Sequence, residues 1–232
     1  MSRIGRLPIP VPAGVTVTIA DDNTVTVKGG TFTGNTAPKN GGAIYADGTV
    51  NLRGGKFTGN SAAKEGGAIY FADGSNILSY NAFTGNVATS SGGAIYITNN
   101  NTVSSNTFTS NDATTGGAIY AGNSNTIESN TFDSNTAENG GAIYAQEGNE
   151  IISNTFTSNV ASDKGGAIYA ATSNSISSNT FNSNTAVDGG AIYFADGSNI
   201  LNYNAFTGNV ATSSGGAIYI TNNNTVTSNT FT

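Results

Sequence analysis

Apolar residues recur along this chain in short alternating runs and never at a helical period. Residues 107–131, TFTSNDATTGGAIYAGNSNTIESNT, hold three such runs, TFTSN, GAIYA and NTIES, separated by Gly, Asn, Ser and Asp. Alternation with period two marks half-buried strands, and the intervening residues are strand breakers. The pattern then repeats. GGAIY occurs eight times between Gly41 and Gly215 at steps of 24 to 26 residues, and Phe-x-x-Asn runs in phase from Phe32, with Phe231 opening an unfinished copy. A third column is formed by Asn81, Asn106, Asn130, Asn154, Asn179, Asn204 and Asn229. The expected fold is all-β, a right-handed parallel β-helix. It is a single-chain solenoid with three short strands per turn of about 25 residues and about nine turns. Like strands pair in register one turn apart, at about 4.8 Å.

The columns assign residues to the inside and the outside. The Ile of GGAIY and the residue two positions on share a face, and their apolar character turns that face inward. Phe71 and Phe194 stand there where other turns have Ala or Ile. The Phe of Phe-x-x-Asn and the branched residues Val103, Ile127, Ile151, Ile176 and Val226 complete a thin core. No turn can bury such a layer alone. The Asn columns sit at bends, where each side-chain amide can donate to one neighbour and accept from the other. The paired glycines fit tight corners. By alternation Tyr45, Tyr70, Tyr96, Tyr120, Tyr144, Tyr169, Tyr193 and Tyr219 point outward. This column is the candidate binding stripe, for sugar or protein. Two other readings stand beside it: stacking that only stabilises the sheet, and an inverted register with Tyr inside.

Composition narrows the classes. Only 9% of residues are charged, against about 25% in ordinary globular chains. The 10 Tyr and 11 Phe distinguish the chain from a disordered polar one. With no Cys and no His, disulfides, thiolate sites and the commonest metal ligand and general base are missing. The net charge of −6 argues against nucleic acid as a partner. Residues 1–65 carry seven of the eight basic groups and four acids, whereas residues 66–232 carry Lys164 against ten acids. No window reaches the roughly 20 apolar residues of a membrane span. MSRIGRLPIPVPAG lacks the apolar stretch of a secretory signal, so an extracellular or cell-surface location implies a signal that is not in this chain.

The GGA(I) and Phe-x-x-Asn markers of residues 31–232 resemble the repeats of chlamydial polymorphic outer-membrane proteins and, with strings such as NTFTSN, pectin-lyase-like β-helix repeats. The first resemblance implies a surface-exposed adhesin passenger with a protein or glycan ligand. Its signal peptide and C-terminal barrel are not in this sequence. The second implies a carbohydrate-active fold. The opening, MSRIGRLPIPVPAGVTVTI followed by NTVTVKG, resembles the start of bacterial ribosomal protein L6 for about 30 residues. That likeness implies rRNA binding, but the rest of the L6 body is missing. Structurally VTVTI and TVTVK alternate as a hairpin, with ADDN between them. Residues 1–30 are therefore expected to cap the solenoid of residues 31–232. Residues 66–109 and 189–232 differ only at Ser79/Asn202 and Ser104/Thr227. Such copying, with the L6-like opening and an end inside a repeat, fits an artificial sequence; recent duplication in a truncated natural gene is the other explanation. The last turn, around Ile218, Val226 and Phe231, is expected to leave an open edge for self-association. At the other end Pro8, Pro10 and Pro12 discourage pairing.

Candidate chemistry is sparse. Arg3, Arg6 and Arg53 all lie near the N-terminus, so a lyase-type base beside a carboxylate cluster is not evident. A glycosidase needs two carboxyls at a set separation. Glu138, Asp163 and Asp188, each before a Gly-Gly pair with Lys164 alongside, are the nearest approach, and each equally suits a solvated loop. No Ca²⁺ nonapeptide, EF-hand, P-loop or dinucleotide fingerprint occurs. No catalytic residue, metal or cofactor is assigned. Thr-Phe-Thr at residues 31–33, 107–109, 155–157 and 230–232 raises a further class, ice or crystal binding, with the array interrupted at Lys56, Ala82, Asp133, Asn182 and Ala205. The reading best supported is a non-catalytic β-solenoid scaffold. The alternatives are the adhesin passenger, the carbohydrate-active enzyme and the L6-like rRNA binder.

Overall fold

The computed structural model describes residues 15–21 and 24–232. Pro8, Pro10 and Pro12, and two residues of the ADDN turn, lie outside them. The chain is an all-β, right-handed parallel solenoid of about eight turns, with no helix among the described residues. The handedness is the one that strand-to-parallel-strand crossovers adopt almost without exception.

Each turn has four flat sides rather than three. One turn runs through Thr131–Asp133, Thr136–Asn139, Ile143–Glu147 and Glu150–Ile152. Stacked, these give a phenylalanine sheet, an alanine sheet, a tyrosine sheet and an aliphatic sheet. Pairing is parallel and strictly in register. Phe132 faces Phe108 and Phe156, and Tyr144 faces Tyr120 and Tyr169. The unexpected fourth side is often only two residues long, as at Ser61–Ala62 and Val87–Ala88, and puts a single Ala inward per turn. Asp112 bridges Val87 to Thr136, linking the two parts of this sheet.

The interior follows the expected columns. Phe57 through Phe181 of the phenylalanine column are fully buried, as are Val103, Ile127, Ile151 and Ile176. The Ala and Ile of GGAIY are buried from Ala68 to Ile192, and Phe71 and Phe194 are fully enclosed. The phenylalanine rings form one continuous stack from Phe32 to Phe231, with centroids 4.6–4.9 Å apart and planes within 12°. Offset aromatic contacts of this kind contribute about 0.5–1.5 kcal/mol each beyond burial.

Three corners are built by asparagine and the fourth by glycine. In the ladder of Asn130, its Nδ2 donates to Asn154 Oδ1 at 3.0 Å and to the Val103 carbonyl at 2.9 Å. Its Oδ1 accepts from the backbone N–H and the Nδ2 of Asn106, at 2.8 and 3.0 Å. Every amide hydrogen and both lone pairs are used, which is what allows a buried Asn. Asn111–Asn135–Asn159 form a second ladder and Asn101–Asn125–Asn149 a third, each buried. The residue before nearly every ladder Asn takes the left-handed conformation, for example Ser129 at φ 55° and Ser134 at φ 56°. At the fourth corner Gly140 has φ +66°, and a Cβ on Gly141 would sit 2.1 Å from the Gly166 carbonyl oxygen. Only glycine fits that approach.

The N-terminal hairpin forms as expected. Thr16–Ile19 pairs antiparallel with Val25–Lys28, which in turn pairs in parallel with Val50–Arg53 as the first rung of the aliphatic sheet. At the opposite end Ile218–Ile220, Thr225–Thr227 and Thr230–Phe231 are edge strands, and Ile220, Val226 and Phe231 are exposed.

Candidate functional site

The tyrosine sheet presents the most regular outer feature. Its inward neighbours hold each Tyr in place: Ile143 and Ala145 are fully buried, so Tyr144 between them must face out. The eight rings from Tyr45 to Tyr219 form a half-buried stack, with Tyr45 at its N-terminal end more exposed. Centroids are 4.6–5.4 Å apart and planes within 16°. Spacing alternates in the middle: Tyr96–Tyr120 and Tyr144–Tyr169 lie at 4.6 Å, while Tyr120–Tyr144 and Tyr169–Tyr193 lie at 5.4 Å. Gln146 Nε2 donates to the Tyr120 hydroxyl at 2.5 Å across one of the wider gaps. Because each ring stacks on its neighbours, much of each aromatic face is covered within the column. The geometry therefore offers a row of ring edges and hydroxyls rather than open platforms for stacking a sugar.

Burial dominates the electrostatics of this column. It raises the Tyr96 hydroxyl well above the usual phenol range, with Tyr120, Glu65 and Tyr70 adding to it. Burial likewise pushes Tyr144 up to about 12, reinforced by Tyr169 and Tyr120. Tyr70, Tyr169 and Tyr193 shift upward for the same first reason. Lys164 Nζ sits 5.7 Å from the Tyr193 ring centre. The hydrogen bond from Lys164 to Asp163, 2.7 Å long, holds its ammonium above the ordinary range.

Asp163 and Asp188 come together around Lys164 and Tyr193, and Glu138 does not join them. Glu138 lines a shallow open groove on the alanine side with Val87, Thr89, Asp112, Thr114 and Val160. There Asp112 accepts a short hydrogen bond from the Thr136 hydroxyl. Asp163 pairs with Lys164, and Asp188 lies in register with Lys164 and, one turn further, with Asn139. Among the described residues no group of three His, Cys, Asp or Glu side chains is placed to hold a metal ion. No helix of the described residues is long and apolar enough to cross a membrane. Sequence reasoning did not single out Asp112 or its groove. The only available signal was one acid in the variable stretch between Asn111 and Gly116.

Comparison with known proteins gives three partial likenesses. The Chlamydia polymorphic membrane protein repeat matches residues 205–221. The large ribosomal subunit protein uL6 of Clostridium botulinum (strain Eklund 17B / Type B) is 76% identical over 29 residues, 12% of this chain and 16% of that protein. The uL6 of Acidothermus cellulolyticus is 80% identical over 35 residues, 14% of this chain and 19% of that protein. The chain thus spans less than a fifth of the length of these relatives. No solved structure matches. The match that runs through the solenoid is to the family described as periplasmic copper-binding protein (NosD), over residues 11–191. Covering more than three quarters of a chain whose fold is an in-register parallel β-helix, it places this protein in the NosD family.

Proposed function

We propose that the chain is a non-catalytic β-solenoid scaffold, a stiff rod that displays four long outer faces. The observation that carries this reading is the repetition of the interior. The phenylalanine stack, the Asn ladders and the Gly corner recur turn after turn, while outward positions and loops vary more widely; inside, the position after each Tyr changes between Ala, Ile and Phe. Such a design supports surface recognition more readily than convergent chemistry. The test is an assay for unsaturated or reducing ends on pectin-like and other acidic polysaccharides, with and without Ca²⁺. Product formation that disappears in Glu138→Gln or Asp163→Asn would refute the scaffold reading and place a site.

The family description names copper, and the donor set of this chain does not suit it. There is no His or Cys, and the single Met, Met1, lies outside the described residues. Copper sites are built from imidazole, thiolate and thioether groups, with which scattered carboxylates compete poorly. The residues present do not fit a copper ion, and none of the proposed roles involves one.

The match to the Chlamydia repeat favours a second reading, an adhesin-type surface. On that reading the tyrosine column supplies the contact with a protein or glycan. Glycan-array and cell-binding measurements should then give a signal that Tyr120→Ser and Tyr144→Ser abolish. For the L6-like opening we propose a capping role rather than rRNA binding, supported by Val25–Lys28 occupying the edge of the first turn. The exposed C-terminal edge is the proposed site of self-association, which light scattering against concentration would reveal.

A further inference from the structure

The phenylalanine sheet carries an outer face that the scaffold reading does not use. Each of its nine Phe residues points inward, so the residues on either side point out, giving two columns of nine positions. Thirteen of those eighteen are Thr; the exceptions are Lys56, Ala82, Asp133, Asn182 and Ala205. Register turns this composition into an array. Thr107, Thr131, Thr155 and Thr180 follow one another in one column, and Thr33, Thr58, Thr84 and Thr109 in the other.

Three properties of the array go beyond the β propensity of threonine. First, it is regular. Its rungs pair strictly in register, and the Phe rings beneath them stack evenly, with planes within 12° of one another. Second, it is periodic in two directions. The rung spacing follows the 4.6–4.9 Å of the Phe stack, and the two columns are about 6.6 Å apart, two residues along a strand. Third, its hydroxyls are available to solvent. Apart from Thr207 and Thr232, whose Oγ1 atoms lie 2.9 Å apart, no array hydroxyl among the described residues has a hydrogen-bond partner in the protein. The β-branched side chain restricts χ1, so methyl and hydroxyl repeat in fixed positions.

A regular, nearly uncharged lattice of alternating methyl and hydroxyl groups complements a ligand that is itself a lattice of hydrogen-bonding oxygens. A flexible chain would gain nothing from strict two-dimensional order. We infer that this face binds ice, holding a layer of water in positions that the crystal surface can incorporate. Asp133 and Asn182 interrupt one column in its middle and limit the activity, whereas Ala82 and Ala205 are too small to obstruct it.

The test uses the whole chain. Its thermal hysteresis, crystal habit and inhibition of ice recrystallisation are measured at rising concentration. Faceted crystals and a concentration-dependent hysteresis are expected. Thr131→Tyr and Thr155→Tyr, whose side chains project from the array without entering the core, should abolish crystal shaping while leaving the circular dichroism spectrum unchanged. Thr126→Tyr, on the aliphatic side, should leave shaping intact. Asp133→Thr with Asn182→Thr extends the array and should enlarge the hysteresis. Unshaped ice with both the unsubstituted chain and the repaired variant would overturn the inference, as would full activity in folded Thr131→Tyr and Thr155→Tyr.

Discussion

Replacing Asn130 by Leu tests the corner ladders directly, because a more apolar residue in a buried site should here be destabilising. Asn130 takes part in five hydrogen bonds through the ladder, and four use its side chain. Leucine keeps only the fifth, from its own backbone N–H to Asn154 Oδ1. The four losses are unequal. Asn106 Nδ2 retains the carbonyls of Leu78 and Ser104, so its loss is a net hydrogen bond, about 1 kcal/mol. Asn154 Oδ1 and the Val103 carbonyl each lose one donor, again about 1 kcal/mol apiece. The Asn106 backbone N–H is different. It loses the one acceptor it has and is left buried, a cost of about 1–3 kcal/mol. Together these give about 4–6 kcal/mol, against which the extra apolar burial of Leu returns about 1–2 kcal/mol. A net loss of about 2–5 kcal/mol should appear in urea titration. Asn229→Leu, at the half-buried last rung, should cost far less, because water can reach the groups it strands. If Asn130→Leu unfolded within about 0.5 kcal/mol of the unsubstituted chain, the ladder would contribute no net stability.

Other perturbations address the remaining columns. Phe132→Ala should lose about 3–5 kcal/mol, since the ring is fully buried between Phe108 and Phe156. Thr131→Ala should stay within about 0.5 kcal/mol, and equal losses in a denaturant titration would invert the register. Gly141→Ala should prevent native stacking because its Cβ would overlap the Gly166 oxygen, whereas Gly59→Ala, with φ +59° and open space around it, should cost only about 1 kcal/mol; comparable melting temperatures would contradict the close corner. Tyr144 has its hydroxyl raised from the usual 10 to about 12 by burial. The unfolded chain therefore ionises first, and stability should hold below pH 10 and fall between about 10 and 12. Ultraviolet titration of tyrosinate should show Tyr144→Phe removing a late-titrating group, and a column titrating uniformly near 10 would argue against its burial.

Most of the interior could be read from the chain because each inward residue recurs at one phase of the repeat. Phe132, Ile143 and Ile151 belong to unmistakable columns, and their burial follows from alternation alone. The fourth side was harder to see. A strand such as Ser61–Ala62 shows no alternation, and its single inward Ala resembles any loop alanine. The ladder through Asn101, Asn125 and Asn149 was also missed, although a common signal marks all three ladders: a Ser or Gly able to take positive φ stands before most of the asparagines. The carboxylates show the opposite limit. Glu138 and Asp163 both precede a Gly-Gly pair by two residues, yet strand lengths differ between their turns, and a register shift separates Asn139 from the Ala137 pairing. Spacing in sequence could not say that one would line a groove and the other pair with Lys164.

The ladders also explain why the outer faces can vary so freely. All three amide columns donate in one sense along the axis, each Asn giving its Nδ2 hydrogen to the Oδ1 one turn later, as in Asn106 to Asn130 to Asn154. A turn is thus held to its neighbours at three corners by side chains and at the fourth by Gly backbone contact, whatever its sheets display. Stability in such an array is close to a sum of intrinsic turn terms and nearest-neighbour interfaces. An outward substitution alters one turn term slightly, while a corner substitution breaks two interfaces at once. This asymmetry lets Lys56, Ala82, Thr107 and Thr131 succeed one another at a single outward position over an unbroken phenylalanine stack. It also separates any surface function of this solenoid from the residues that fold it: a binding face can be built or erased on one side without a change at the corners.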